Sequence, residues 1–256
     1  MNASTAPEPL RLSKRVAALL GCSRSDAELT IVGGWVRVDG SVVEQPQARV
    51  RPEQRVEVDP KARLEPLEPA TLIWHKPAGV ALPDESPLPD DRAAHWFANA
   101  QRFAGDRSGL RPLQVHRRQL LILSPLDTMA SGLMVFTQHP GVARKVNDRQ
   151  APLEHEWFVD VVGDSLKDAA ERDAVLRSIT KPLYFEGTQL SPVKVSWQSD
   201  WRLRLAIKGP IPGQVAHLCE RAGLGVAAVR RQRIGRVGLD SLPAGQWRYA
   251  TATERF

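Results

Sequence analysis

From Leu10 onward the apolar residues fall into short periodic runs, punctuated by glycine, proline and aspartate, and the period changes along the chain. In RLSKRVAALLG, Leu12, Val16, Leu19 and Leu20 recur at helical spacing, and Gly21 suits the left-handed residue that ends a helix. SRSDAELTIVGG then offers Ser23 as an N-cap with Asp26 three residues on, and it stops at Gly33 and Gly34. WVRVDGSVV alternates with period two around Asp39-Gly40, a two-residue hairpin signal, and RVEV at 55–58 reads as another strand. The pattern predicts two helices and a small sheet over 10–59, after a disordered tail at 1–9 rich in Ala, Pro and Ser.

PKARLEPLEP follows neither period, carries three prolines and reads as a linker over 60–70. A second domain, 71–256, opens with TLIWHKPAGV, a short strand running into a Lys-Pro turn. Farther on, LMVF after Gly132 reads as a buried strand. SPVKVSWQ and WRLRLAIKG form a hairpin about Ser199-Asp200, and PGQVAHLCERAG is a helix with Pro212 near its start.

Composition adds bounds. With 256 residues, 42% apolar and 25% charged, the chain can bury a substantial core. A net charge of +6 suits a polyanionic partner without requiring one. Cys22 and Cys219 sit in apolar helical patterns outside any metal-ligand spacing, which predicts reduced thiols, and the six histidines are too scattered to suggest a metal site. No apolar run approaches the roughly 20 residues that span a bilayer, and MNASTAPEP lacks a signal pattern. A cytoplasmic monomer is the expectation.

Charge is patterned more tellingly than its total. Arg11, Lys14 and Arg15 lie beside the first helix and Arg24 opens the second, which would bring cations and a helix N-terminus to one phosphate backbone. Between Arg92 and Arg118, six arginines stand against the single acid Asp106 and interleave with Trp96, Phe97 and Phe103. This suits either an RNA groove or a helix whose aromatics face the core. VRRQRIGR holds Arg230, Arg231, Arg233 and Arg236 with no acid, as a phosphate-facing strand would. In SPLDTMASGLMVFTQ, Asp127 stands between apolar Leu126 and a Gly-containing loop, a partly desolvated seat for a nucleophile or base, although a lone Asp there also suits a cap or turn.

RLSKR, then GCSRSDAE, then IVGGWVRVDG resembles the RNA-binding domain named after ribosomal small-subunit protein S-four, across Leu10 to Asp59. That resemblance implies that Arg11, Lys14, Arg15, Ser23 and Arg24 face structured RNA. HKPAGV, LDTMASGLMVFTQ and RQRIGRVGLDSLPAGQWRYATATE come in the order seen in the RsuA/RluB/RluF family of pseudouridine synthases, a resemblance covering nearly the whole chain. It implies an α+β protein: a small αα-β RNA-binding domain, then a mixed α/β catalytic domain around an antiparallel sheet, working without metal or organic cofactor. The substrate implied is structured RNA, rRNA first and tRNA second, with Asp127 catalytic. Trp157, His155, Leu133 and Gln214 would form the uracil pocket, and Lys76, Arg117, Arg118, Arg230, Arg231 and Arg233 would hold RNA.

Three positions depart from the family pattern. Pro125 replaces the arginine before Leu-Asp, His155-Glu156-Trp157 stands where a Lys-x-Tyr strand is usual, and KGPIPGQVAHLC keeps Gln214 while losing neighbouring arginines. Two outcomes stay open. Either Arg117, Arg118 or Arg231 takes over the missing charge and Asp127 still works, with His155 able to carry charge if its pKa is raised, or catalysis has lapsed and an RNA-binding factor remains.

Overall fold

The computed structural model describes residues 8–64, 66–162, 168–182, 184–185 and 187–256. All but two residues of the expected tail lie outside that set. Two compact units emerge: one runs to Pro69 and takes in Leu110–Arg118, and the other comprises Ala70–Gly109 and Gln119–Phe256.

In the first unit, β1 (Leu10–Arg11) leads into α1 (Leu12–Leu20) and α2 (Arg24–Val32). Gly21 ends α1 at φ 62°, and the Ser23 side chain accepts from the Asp26 backbone N–H while its hydroxyl donates to the Asp26 carboxylate. Leu12 and Val16 enter the core with Ala27 and Ile31. Leu19 and Leu20, expected on the same face, are exposed instead because the core ends one turn earlier. β2 (Val36–Val38), β3 (Ser41–Val42) and β5 (Val56–Val58) form a three-stranded sheet, and β4 (Arg49–Val50) pairs with β1. Asp39 and Gly40 make the hairpin turn with φ of 51° and 81°, which its two positive-φ positions require.

The segment Leu110–Arg118 is part of this unit, which no sequence pattern indicated. The Arg111 guanidinium lies 3.5 Å over the Trp35 ring and donates to the Gly34 carbonyl. Leu113 is buried, and the Gln114 backbone N–H donates to the Glu44 carboxylate at 2.6 Å. Desolvation of Glu44 by this cover raises its pKa despite that bond.

The second unit is built on a nine-stranded sheet. Its strands are β6 (Thr71–Lys76), β7 (Leu121–Leu123), β8 (Ser131–Thr137), β9 (Glu154–Val161), β12 (Val193–Trp197), β13 (Arg202–Lys208), β14 (Val226–Ile234), β15 (Val237–Gly238) and β16 (Trp247–Tyr249), with a separate hairpin of β10 (Tyr184–Phe185) and β11 (Thr188–Gln189). The main order is β12-β13-β9-β14-β8-β6-β16, antiparallel except where β14 runs parallel to β8. Helices α3 (Asp90–Trp96), α4 (Pro140–Val146), α5 (Ala169–Thr180) and α6 (Gln214–Arg221) complete the unit.

Trp96 and Phe97 belong to the core, which decides between the two readings of the arginine-aromatic stretch. Trp96 stacks on Trp74 at 4.7 Å, and Phe97 meets Phe136 edge-on. Arg102 of that stretch pairs with Asp106 at 2.8 Å. Cys219 is also buried, which pushes its thiol up to about 12.

The parallel pairing positions the site. Gly132 sits opposite Arg231 at φ 111°, and a Cβ there would lie 2.3 Å from the Arg231 carbonyl oxygen. Only glycine lets β8 approach β14 so closely, and that approach brings Arg231 beside the loop that precedes β8.

Candidate active site

That loop joins β7 to β8. Ser124 turns it at φ 46°, and the Ala130 N–H donates to the Asp127 carbonyl, so Thr128 and Met129 form the tip of a tight turn. Asp127 stands at the mouth of a cavity of about 350 Å³, within the size range of small-ligand sites. Pro125, Trp157, Ile211, Val226 and Arg231 contribute to its wall. The Gly213 backbone N–H, at the start of α6, donates to Asp127 Oδ2 at 3.1 Å. Asp127 is exposed rather than partly desolvated as the sequence suggested, because the turn carries it to the rim.

Two cations face this carboxylate, and both are buried. Arg231 is 1% exposed, and desolvation brings its pKa down to about 9 while Asp127 opposes the fall. Its fork donates to the Leu133 carbonyl at 2.8 Å, the Ser124 hydroxyl at 3.0 Å and the Ser124 carbonyl at 2.7 Å. Its guanidinium also lies 5.3 Å from the Trp157 ring centroid. The expected RNA contact at Arg231 is therefore replaced by a fixed charge in the cavity wall.

Lys76 closes β6 with no exposed surface. Its ammonium donates to the carbonyls of Pro77, Thr128 and Ala130 at 3.1, 2.9 and 2.7 Å, and the Gly79 N–H adds a bond to the Thr128 carbonyl. Burial lowers its pKa to about 8, against the pull of Asp127. Lys76, expected at the RNA surface, instead clamps the turn that carries Asp127.

The other expected pocket residues divide. Trp157 lines the cavity, is 6% exposed, and its indole N–H has no partner among the described residues. His155 does not line it. β9 alternates, so His155 and Trp157 both turn inward, and burial beside Arg231 and Arg233 takes the His155 pKa down to about 2. Those surroundings favour the neutral imidazole over the charged one. Leu133 is wholly buried in a separate apolar cluster, and Gln214 uses its side-chain oxygen to accept from the Ile211 N–H.

Among the expected RNA contacts, Arg233 is held by Glu154 at 2.9 Å and Glu156 at 3.1 Å, because β9 presents both carboxylates alongside it. Arg230 is half-buried. In the first unit Arg11, Lys14 and Arg24 are exposed, Arg24 pairing with Glu28. Arg15 donates to the carbonyls of Pro52 and Gln54, and Ser23 is occupied as the cap of α2. Arg117 and Arg118 fall in the Leu110–Arg118 segment of that unit. Sequence reasoning missed Met129 and the Gly213 N–H. A large apolar residue in an otherwise small and polar loop, Thr128 to Gly132, was the available signal for the first.

Comparison with known proteins agrees with this architecture. The S4 domain matches residues 10–56. The chain is 25% identical over 251 residues to the dual-specificity RNA pseudouridine synthase RluF of Shigella flexneri, covering 96% of this chain and 77% of that protein. It is 28% identical over 248 residues to a putative chloroplastic ribosomal large subunit pseudouridine synthase, SVR1, of Arabidopsis thaliana, covering 94% of this chain and 58% of that one. A crystal structure of a pseudouridylate synthase has the same fold, with a TM-score of 0.53 and 20% identity over 94% of this chain and 96% of that one. The chain thus carries an S4 domain over residues 10–56 and is similar along nearly its whole length to proteins named as RNA pseudouridine synthases.

Proposed function

We propose that the protein isomerises a uridine of ribosomal RNA to pseudouridine, with Asp127 as the catalytic carboxylate. The observation that carries this reading is an acid at the mouth of a base-sized cavity, faced by two buried cations. The target nucleotide leaves its stack and enters the cavity. The Asp127 carboxylate then attacks the anomeric carbon or removes a neighbouring sugar proton, and the uracil detaches, rotates and rejoins through a ring carbon. Arg231 contributes positive charge in a setting where the protein has already met the cost of ordering it. Its interaction with Asp127 supplies at the wall the charge that Pro125 cannot supply in the loop. Trp157 offers an apolar face and an unpartnered N–H to a planar base.

The test is a pseudouridine map of rRNA and tRNA from cells lacking the gene. One uridine should lose its modification and regain it when the gene is returned. A map unchanged by the deletion would leave an RNA-binding protein of this fold and nothing more.

The pKa of Lys76 near 8 sets a pH dependence. As pH rises through about 8 the ammonium loses its proton, the field at Asp127 weakens and one of the three donors holding the turn is lost, so kcat/KM is expected to fall. Linkage to folding has the opposite sign. An unfolded lysine keeps its proton to about 10.4, so between about pH 8 and 10 the unfolded chain binds more protons and this group makes the fold more stable as pH rises. A pH-rate profile measured alongside thermal melts separates the two effects, and a profile flat from pH 7 to about 9 would contradict the role given to Lys76.

A further inference from the structure

We infer that Met129 is the wedge that enters the RNA stack when the target uridine leaves it, an inference that rests on the isomerase reading above. Met129 is 74% exposed, the most exposed of the large apolar side chains that are described. It lies two residues from Asp127 and contributes to the cavity rim, as do Val226 at 37% exposure and the exposed Ala227 and Ala228.

Folding does not account for this placement, since an exposed methionine contributes little burial. Its backbone, by contrast, is fixed with unusual care. The Lys76 ammonium donates to the carbonyls on either side of Met129, those of Thr128 and Ala130, while the Gly79 N–H holds Thr128 a second time. The Ala130 N–H to Asp127 carbonyl bond closes the turn beneath it. A buried ammonium therefore spends its hydrogen bonds presenting one apolar side chain outward, next to the acid.

Those are the properties a stacking wedge needs. Everting a base leaves a gap whose neighbours are apolar faces, and proteins that unstack nucleic acid commonly fill such gaps with Met, Leu, Ile or Phe. Methionine adapts its shape to an irregular gap at low strain. The uncharged rim of Val226, Ala227 and Ala228 would then rest against the bases flanking the cavity. With Pro125 in the loop, no cation precedes Leu126-Asp127 to serve this purpose.

The test uses the full chain and a synthetic RNA hairpin spanning the uridine identified by the pseudouridine map, made with that uridine paired or mismatched. A mismatched base costs least to evert. Met129→Ala should lower kcat/KM about 10-fold on the paired hairpin and leave the mismatched one within about twofold of wild type. Met129→Leu should restore most of the loss. A second measurement needs no turnover: 2-aminopurine placed beside the target uridine should brighten on binding wild type and brighten less with Met129→Ala. Equal losses on both hairpins, or no loss on either, would overturn the inference while wild-type turnover leaves the isomerase reading standing. A pseudouridine map in which no uridine depends on the gene would instead remove the isomerase reading, and this one with it.

Discussion

Asp127→Asn yields a protein that folds, binds RNA and makes no pseudouridine, with turnover lowered by at least about 10³-fold. The amide keeps an oxygen able to accept the Gly213 N–H, so the rim changes little in shape. What it loses is the negative charge that both Lys76 and Arg231 sense. Because the side chain is exposed, the melting temperature should stay close to wild type. The measurement is tritium release from RNA carrying uridine labelled at the ring carbon that becomes the new glycosidic position, with a binding assay on the same RNA. Turnover within about tenfold of wild type would remove Asp127 from the chemistry.

Arg231→Met is the second large effect, and its signature is a split between activity and stability. Turnover should fall about 100-fold, as when a fixed charge is removed from a water-poor site. Stability should change by no more than about 2 kcal/mol, because two opposing terms nearly cancel. Ser124 and Leu133 lose donors to their carbonyls, while the cost of holding a desolvated guanidinium disappears. Arg231→Lys should recover only part of the activity, since a single ammonium cannot span the Leu133 carbonyl and both Ser124 acceptors in the fork geometry. Unaltered turnover in Arg231→Met, measured with kcat and KM separated, would mean that the charge is structural only.

The sequence revealed most where structure is decided locally. Ser23, Gly21 and Asp39-Gly40 act within a few residues of themselves, and the helix cap, helix stop and hairpin turn stand where those residues predict them. Asp127, the acid proposed as catalytic, could be picked out in the sequence because it sits in a contiguous motif, and it borders the cavity. Its electrostatic partners were not. Lys76 and Arg231 read as surface cations because such residues are usually solvated, and their burial depends on pairing between strands far apart in sequence. His155 was misjudged for the same reason: alternation along β9 put it inward, but only the neighbouring strand shows that Arg231 and Arg233 stand beside it. Arg233 was misread because Glu154 and Glu156 come from another strand. Leu19 and Leu20 illustrate the converse, a periodic stripe longer than the core that receives it.

The Leu110–Arg118 strap also bears on how such a protein can change over generations. Arg111 roofs the Trp35 ring and Gln114 covers Glu44. Cut at Pro69 and moved elsewhere without the strap, the N-terminal block would arrive with a bare indole and a carboxylate stripped of its donor. The RNA grip is consequently not a detachable bead: it can be inherited intact only with a stretch encoded in the middle of the gene, which ties its history to that of the domain carrying the acid.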